Sequence, residues 1–235
     1  MLLSLSSFRP LTVRPLTVAA LLVLGPLAGG RDGLGAAYAD SLPVLAAADS
    51  PAGWQPYKVK RGVAVERRPV QGSRFFEYRA TVTAPVAPEA VISHMWRFVS
   101  EGRSPIIKKR QVLKQEPTEI LMYDQVKTPV VSDRDYTLLV RKVGDASSHR
   151  YQMTFETANQ LGPPVDPKHV RIPAIRGRWL IEPAGTAGSR LTYQSFSEPG
   201  GSIPAFMIHG AQLDQIVQDV EGLLKRLGSL PSATP

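Results

Sequence analysis

The chain has 235 residues, 43% of them hydrophobic, with 28 lysine and arginine residues against 20 aspartate and glutamate residues, a net charge of +8. This composition excludes an intrinsically disordered chain, and the length allows one domain with a sizeable core. The absence of cysteine excludes disulfides, a thiol nucleophile, a cysteine-based zinc site and an iron–sulfur cluster. Because the basic residues are scattered and form no recognition motif, we expect no nucleic-acid partner.

Residues 1–39 are predicted to be a secretory signal. Arg9 and Arg14 precede thirteen mostly apolar residues, 16–28, which are fewer than the roughly 20 that cross a bilayer as a helix. Residues 37–39, Ala-Tyr-Ala, fit the small-x-small cleavage pattern, and residues 46–48 are a second candidate. An uncleaved anchor is the alternative. In either case we expect an exported protein, periplasmic or extracellular.

Residues 40–53 are rich in alanine, serine and proline and are predicted to be a linker, followed by a folded domain at 54–230. Two strands are predicted at 62–70 and 74–85, because apolar and polar residues alternate in the second one. A helix is predicted at 88–102, since proline suits the first helical position and Gly102 a stop.

Six further strands follow, separated by proline, glycine, aspartate or serine. They are predicted at 108–117, 119–129, 135–145, 149–159, 168–183 and 189–201. From Ile203 to Leu227 apolar residues recur every three or four positions, which predicts a long amphipathic helix with residues such as Gln215 and Asp219 on its opposite face. An antiparallel sheet of about eight strands with helices on one side is an α+β domain, and the space between sheet and helix is a place for a ligand.

Five segments in this order resemble the START (steroidogenic acute regulatory-related lipid transfer) family of the helix-grip superfamily. They are AVISHMWRF, SDRDYTLLVR, GRWLIEP, RLTYQSFSEPGGSIPAFMI and the closing LLKRL, and the resemblance covers about residues 54–227. It implies a helix-grip fold, a curved antiparallel sheet wrapped around the C-terminal helix, with an apolar tunnel for one lipid or sterol. It also implies no catalytic group, no cofactor, and a C-terminal helix that acts as a lid.

On this resemblance, Arg134 and Asp135 are expected to fix a loop by charge-assisted hydrogen bonds, so that the strand from Tyr136 enters the cavity wall. A solvated turn remains the alternative. Gly200-Gly201 with Pro204 matches the hinge before the lid helix. The residues predicted to bind the ligand are Met95, Leu121, Tyr123, Gln125, Arg134, Tyr136, Leu138, Val140, Met153, Trp179, Tyr193, Phe206, His209 and Leu213.

The sequence also departs from the family. Steroid-binding relatives carry a buried glutamate–arginine pair at places that hold Leu121 and Val140 here, which predicts a tunnel without that charged pair. A polar group of the ligand would then meet Tyr123, Gln125, Tyr193 or His209. The family's acidic residue before the glycine pair is present as Glu198.

We expect a monomer that binds a lipid or sterol-like molecule and contacts membranes transiently. Two other classes stay open: a polyketide cyclase or aromatase that uses Tyr123, Arg134, Tyr193 or His209 as proton donor, and an interaction module with a filled core. The four histidines show no metal-ligand spacing, and no nucleophile elbow or phosphate-binding loop is present.

Overall fold

The computed structural model describes residues 53–101, 106–128, 131–203 and 205–228. The predicted signal and nearly all of the predicted linker lie outside these residues. The strands are β1 (Gln55–Lys60), β2 (Val63–Pro69), β3 (Phe76–Ala84), β4 (Ile107–Gln115), β5 (Glu119–Val126), β6 (Arg134–Asp145), β7 (Arg150–Thr157), β8 (Val170–Arg171), β9 (Ala174–Ala184) and β10 (Gly188–Glu198). The helices are α1 (Pro88–Glu101), between β3 and β4, and α2 (Ala205–Gly228), after β10.

The described strands form one sheet in the order β1-β2-β3-β10-β9-β7-β6-β5-β4. Every neighbouring pair in this path is antiparallel, and β8 adds a parallel pairing to β6. Helix α2 packs against β2, β3 and β10, and α1 packs against β7, β9 and β10. The predicted α+β helix-grip fold, a curved sheet around a C-terminal helix, is confirmed.

One apolar cluster fills the side of the sheet that faces the helices, which we call the concave side. Strands contribute alternate residues, such as Met122 and Leu138, because side chains in a strand point to opposite faces in turn. Helix α2 contributes residues three or four apart, such as Leu213 and Val217. The opposite, convex side carries a smaller cluster of Leu121, Leu139 and Ala158.

The structure has two strands more than the sequence patterns predict. Strand β1 was not predicted because it contains Pro56 and two consecutive exposed residues, Lys58 and Val59, so it lacks the alternation of a half-buried strand. The predicted strand 168–183 is divided into β8 and β9 at Pro173, since proline has no N–H for a sheet ladder. This division gives β8 its separate place beside β6, next to the SDRDY segment.

Candidate functional site

The segment SDRDY, at the start of β6, places side chains on both sides of the sheet. Arg134 and Tyr136 face the concave side, where Tyr136 belongs to the main apolar cluster. Asp135 lies between them and therefore faces the convex side. The two sides carry different polar groups, which we describe in turn.

On the convex side, Tyr123, Asp135 and Arg171 form a polar cluster that we call the convex latch. Asp135 accepts hydrogen bonds from Arg171 Nε to Oδ1 at 2.7 Å and from Arg171 Nη2 to Oδ2 at 2.9 Å. The Tyr123 hydroxyl donates to Asp135 Oδ2 at 2.9 Å. Arg171 Nη2 also donates to the carbonyls of Pro163 and Pro164, both at 3.2 Å. The latch therefore holds the segment between β7 and β9 against β6, and the hydrogen bonds that Arg171 donates to Asp135 raise the pKa of Arg171.

The neighbouring charges of SDRDY act within their own loop. Asp133 accepts hydrogen bonds from Lys108 Nζ at 2.6 Å and from the Thr128 N–H at 3.1 Å. Arg134 is buried and donates from Nη1 to the Ser132 carbonyl, and its burial lowers its pKa. Asp135 thus fixes a loop as expected, but its partner is Arg171, and the hydrogen bond that Arg134 donates stays within its own turn.

The concave side carries a buried ion pair between β4 and β5. Arg110 and Asp124 are register partners, and the guanidinium donates to both carboxylate oxygens from Nε and Nη2. The Tyr136 hydroxyl is hydrogen-bonded to the same carboxylate. Burial raises the pKa of Asp124, while Arg110 opposes that rise. The concave side therefore carries a buried charged pair that was not predicted, on β4 and β5 rather than at the positions of Leu121 and Val140.

A second polar group links α2 to β10. The Tyr193 hydroxyl donates to Asp219 Oδ2 at 3.0 Å, and Gln215 Nε2 donates to Asp219 Oδ1 at 2.7 Å. Burial raises the pKa of Asp219 from 3.8 to about 7, although these hydrogen bonds and Arg226 oppose the rise. The Tyr193 ring stacks on Trp179 with centroids 4.2 Å apart, which fixes the ring under the helix.

A cavity of about 20 Å³ lies between α2 and strands β3 and β10. That volume accommodates one water-sized group. Six of its seven lining residues carry a polar side-chain atom, and the lining consists of Tyr78, Tyr193, Ser195, Ser197, Gln212, Gln215 and Ile216. The described part of the helix–sheet interface thus combines a packed apolar cluster with a small polar cavity.

The structure brings together most of the residues predicted to bind a ligand. Those in the concave apolar cluster are Met95, Tyr136, Leu138, Val140, Met153, Trp179, Tyr193 and Leu213. Arg134 is the first residue of β6 and lies on the same face of the sheet. Their contact with a ligand stays a prediction.

Four predicted residues lie elsewhere, and a fifth is outside the described side chains. Leu121, Tyr123 and Gln125 alternate with the concave residues of β5 and therefore face the convex side, where Gln125 donates to Tyr123 at 3.3 Å. His209 lies beside the rings of Phe75 and Phe76 with Nε2 3.3 Å from the Arg74 carbonyl. The side chain of Phe206 lies outside the described part of the chain.

Sequence reasoning missed the polar residues of the concave side, and two signals could have identified them. Arg110 shares a strand face with Val112, and Asp124 interrupts the run ILMYDQV in a strand buried on both faces. On α2, Gln212, Gln215 and Asp219 repeat at intervals of three and four residues, so they lie along one side of the helix. The prediction that Gln215 and Asp219 lie opposite the core is therefore wrong.

Within the described residues, no group of three histidine, aspartate or glutamate side chains is placed to hold a metal ion. In the same part of the chain, neither helix has the length and hydropathy to cross a membrane. The described concave side carries hydrogen-bonding groups, the buried Arg110–Asp124 pair and apolar surface.

A sheet that grips a C-terminal helix over an apolar interior defines the helix-grip class of α+β domains. Comparisons with known proteins narrow this class. The chain is 30% identical over 175 residues to an uncharacterized protein of Pseudomonas aeruginosa, covering 72% of this chain and 84% of that protein. It is 24% identical over 188 residues to the mouse phosphatidylcholine transfer protein, covering 78% of this chain and 86% of the relative. No protein-family model matches the chain.

Among solved structures, a StAR-related lipid transfer protein from Xanthomonas axonopodis superimposes with a TM-score of 0.63 at 25% identity. The match covers 75% of this chain and 99% of that structure. The chain belongs to the START family of StAR-related lipid transfer domains.

Proposed function

We propose that this protein binds one lipid or sterol-like molecule between α2 and the concave side of the sheet, catalyses no reaction on it, and transfers it between membranes. The observation that carries the proposal is the apolar helix–sheet interface with a few inward polar groups, among them the Arg110–Asp124 pair. Small-molecule sites combine apolar walls with such a small set of polar groups. Two similar proteins support the proposal by name, a phosphatidylcholine transfer protein and a StAR-related lipid transfer protein.

Binding requires movement of α2. The cavity under the helix has about 20 Å³, whereas sites for molecules of this size measure about 300 Å³ or more. The turn before the helix contains Gly200 and Gly201, with φ of +68° and +65°, a conformation that glycine adopts without steric cost. We propose that this turn is the hinge about which α2 opens.

The energetics of burial favour such a site. Covering about 400 Å² of apolar ligand surface at ~25 cal/mol per Å² contributes roughly 10 kcal/mol. Association costs of about 4 kcal/mol or more leave a micromolar or tighter complex without any new ionic contact.

Native mass spectrometry of the protein purified from its own source, followed by solvent extraction, tests the proposal. We expect a monomer mass with an adduct in the lipid range, and a shift on addition of phosphatidylcholine or cholesterol. A bare mass that neither lipid shifts would overturn the proposal. It would favour the filled-core interaction module instead.

Export and membrane contact are part of the same proposal. We propose that residues 1–39 direct export, which the N-terminal sequence of the mature protein tests by starting near Asp40. Lys109 is exposed on β4, whereas its neighbour Arg110 is buried in an ion pair and cannot serve as a surface charge. We expect Lys109→Glu to weaken binding to anionic vesicles at low salt, and unchanged binding would remove the membrane-contact proposal.

One observation favours a second candidate, a cyclase-like enzyme. Asp219, with its pKa raised to about 7, accepts a hydrogen bond from the Tyr193 hydroxyl inside the cavity region, as a proton-transfer pair would. Turnover of a poly-β-ketone mimic that Tyr193→Phe abolishes would support this function. A wild-type protein that leaves the mimic unchanged would exclude the candidate.

A further inference from the structure

Three buried side chains that line the same cavity each have an oxygen without a hydrogen-bond partner in the described part of the chain. They are the Tyr78 hydroxyl, Gln212 Oε1 and Gln215 Oε1, and their residues are 2%, 7% and 5% exposed. Buried polar atoms in proteins are nearly always paired, because an unpaired one has lost its hydrogen bonds to water. Three such atoms around one cavity indicate that the cavity is built for a polar guest.

The hydrogen bonds of the two glutamines fix which atom each presents to the cavity. Gln212 Nε2 donates to the Ser197 carbonyl at 2.7 Å, and a backbone carbonyl can only accept. Gln215 Nε2 donates to Asp219 Oδ1 at 2.7 Å. In Gln212 one amide N–H is therefore used and the carbonyl oxygen is left to accept a hydrogen bond, and the same holds for Gln215 when Asp219 is ionised. The Tyr78 hydroxyl can donate or accept.

The two glutamine oxygens and the tyrosine hydroxyl determine which functional group of a bound molecule can pair with them. Two carbonyl oxygens require a donor, and the tyrosine hydroxyl can donate to an oxygen of the same guest. A phosphate or carboxylate has no hydrogen to donate when ionised, and Asp219 lies behind Gln215 with its own negative charge when it is ionised. With α2 closed, the volume of about 20 Å³ leaves room at this subsite for one water-sized group, while the rest of the ligand requires the movement of α2. A neutral hydroxyl meets all three conditions.

We propose that this cavity is the subsite for the hydroxyl group of a neutral lipid alcohol. The hydroxyl donates its hydrogen to Gln212 or Gln215 and accepts one from Tyr78, while the apolar part of the molecule lies along the concave cluster. The inference rests on the proposed function and deepens it, because it selects lipid alcohols over lipids with a phosphate headgroup. The Arg110–Asp124 pair takes no part in it.

The test compares three ligands and three forms of the full chain. The ligands are cholesterol, 5-cholestene, which lacks the hydroxyl, and phosphatidylcholine, and the proteins are wild type, Tyr78→Phe and Tyr151→Phe. Tyr78→Phe removes only a hydroxyl that has no partner among the described residues, so we expect its melting temperature to match wild type. Tyr151→Phe is the matched control, because its hydroxyl bonds Glu89 outside the cavity at 3.2 Å.

We expect Tyr78→Phe to weaken cholesterol binding about 3–10-fold, the effect of one hydrogen bond, and to change cholestene binding less than about twofold. Tyr151→Phe should change neither affinity. An equal effect of Tyr78→Phe on both ligands, or on neither, would overturn the subsite and mark the cavity as a water site. Binding of phosphatidylcholine but of neither sterol compound would overturn the alcohol selection and leave the proposed function standing. If no lipid binds the wild-type protein, the proposed function fails and this inference fails with it.

Discussion

The two sides of the sheet differ in how completely their buried polar groups are hydrogen-bonded. On the convex side, each oxygen of the Asp135 carboxylate has a donor and Tyr123 and Arg171 have partners, although the nearby Thr137 hydroxyl is buried without one among the described residues. On the concave side, the unpaired buried atoms are Arg110 Nη1 on β4 and, further along the sheet at β3 and α2, the three cavity oxygens. A cluster whose polar atoms all have hydrogen-bond partners requires no additional molecule, and its role in the structure explains it. An incompletely satisfied one indicates where a further molecule is expected to bind.

The comparison also shows how one short segment serves both purposes. Because strand residues alternate in direction, Asp135 reaches the convex latch while Tyr136 reaches the Asp124 carboxylate on the concave side. Changes to the two sides should therefore differ in kind: those on the convex side alter stability alone, and those on the concave side alter stability, pH response or ligand binding.

The largest expected effect comes from breaking the concave ion pair. Arg110→Met leaves Asp124 as a buried unpaired charge, and we expect a loss of about 3–5 kcal/mol in the free energy of unfolding. The double variant Arg110→Met with Asp124→Leu should recover most of that loss, because it removes both charges. Urea unfolding measures both effects. Additive losses in the double variant would contradict the account of the pair as a coupled unit.

A pH-dependent effect should follow from Asp219 on the concave side. The pKa of this carboxyl rises from 3.8 to about 7 on folding, so the folded state binds its proton more tightly than the unfolded state. This tighter proton binding adds to the free energy of unfolding. The added stability is fully present below about pH 4 and is lost as the pH rises to about 7. Compared with Asp219→Asn, wild type should lose on the order of 3 kcal/mol of relative stability between pH 4 and pH 8. Urea midpoints of both proteins across this range give the difference, and a flat difference would show that folding does not raise the pKa of Asp219.

The sequence allowed the fold to be predicted more completely than the site. The period of two in the strands and of three to four in α2 was enough for the sheet, the long helix and their order. The side of the sheet on which a polar residue lies depends on register, and β5 is buried on both faces, so its alternation carried no hydropathy signal. Leu121 and Tyr123 were therefore placed on the wrong side. Arg171 was not predicted as a latch residue because it lies 36 positions from Asp135, and only folding brings them together.

Breaking the convex latch should have a smaller effect on stability and none on ligand binding. Asp135→Asn removes the charge that holds Arg171, and we expect a loss of about 2 kcal/mol, below the concave pair because Arg171 is partly exposed and can be hydrated. Thermal unfolding measures the loss, with Glu116→Gln, which removes an exposed carboxylate charge on another loop, as control. Lipid affinity should stay within about twofold of wild type. The loss of a single hydrogen bond to the ligand would change the affinity by more than twofold, so a smaller change means that no ligand contact is lost. A larger loss of affinity would mean that the two sides of the sheet are coupled.

The smallest expected effect tests whether the latch supports the hinge of α2. Gly200 and Gly185 have nearly equal φ, +68° and +66°, so a side chain at either position costs about 1 kcal/mol of backbone strain. A Cβ at Gly185 meets open space, whereas one at Gly200 lies 2.9 Å from the carbonyl oxygen of Arg171, the latch residue. We therefore expect Gly185→Ala to cost about 1 kcal/mol and Gly200→Ala about 2 kcal/mol in urea unfolding. Since the backbone strain is common to both variants, the difference isolates the contact between the turn and β8. Equal losses would mean that the turn shifts freely away from the latch, so that α2 could open without disturbing the convex side.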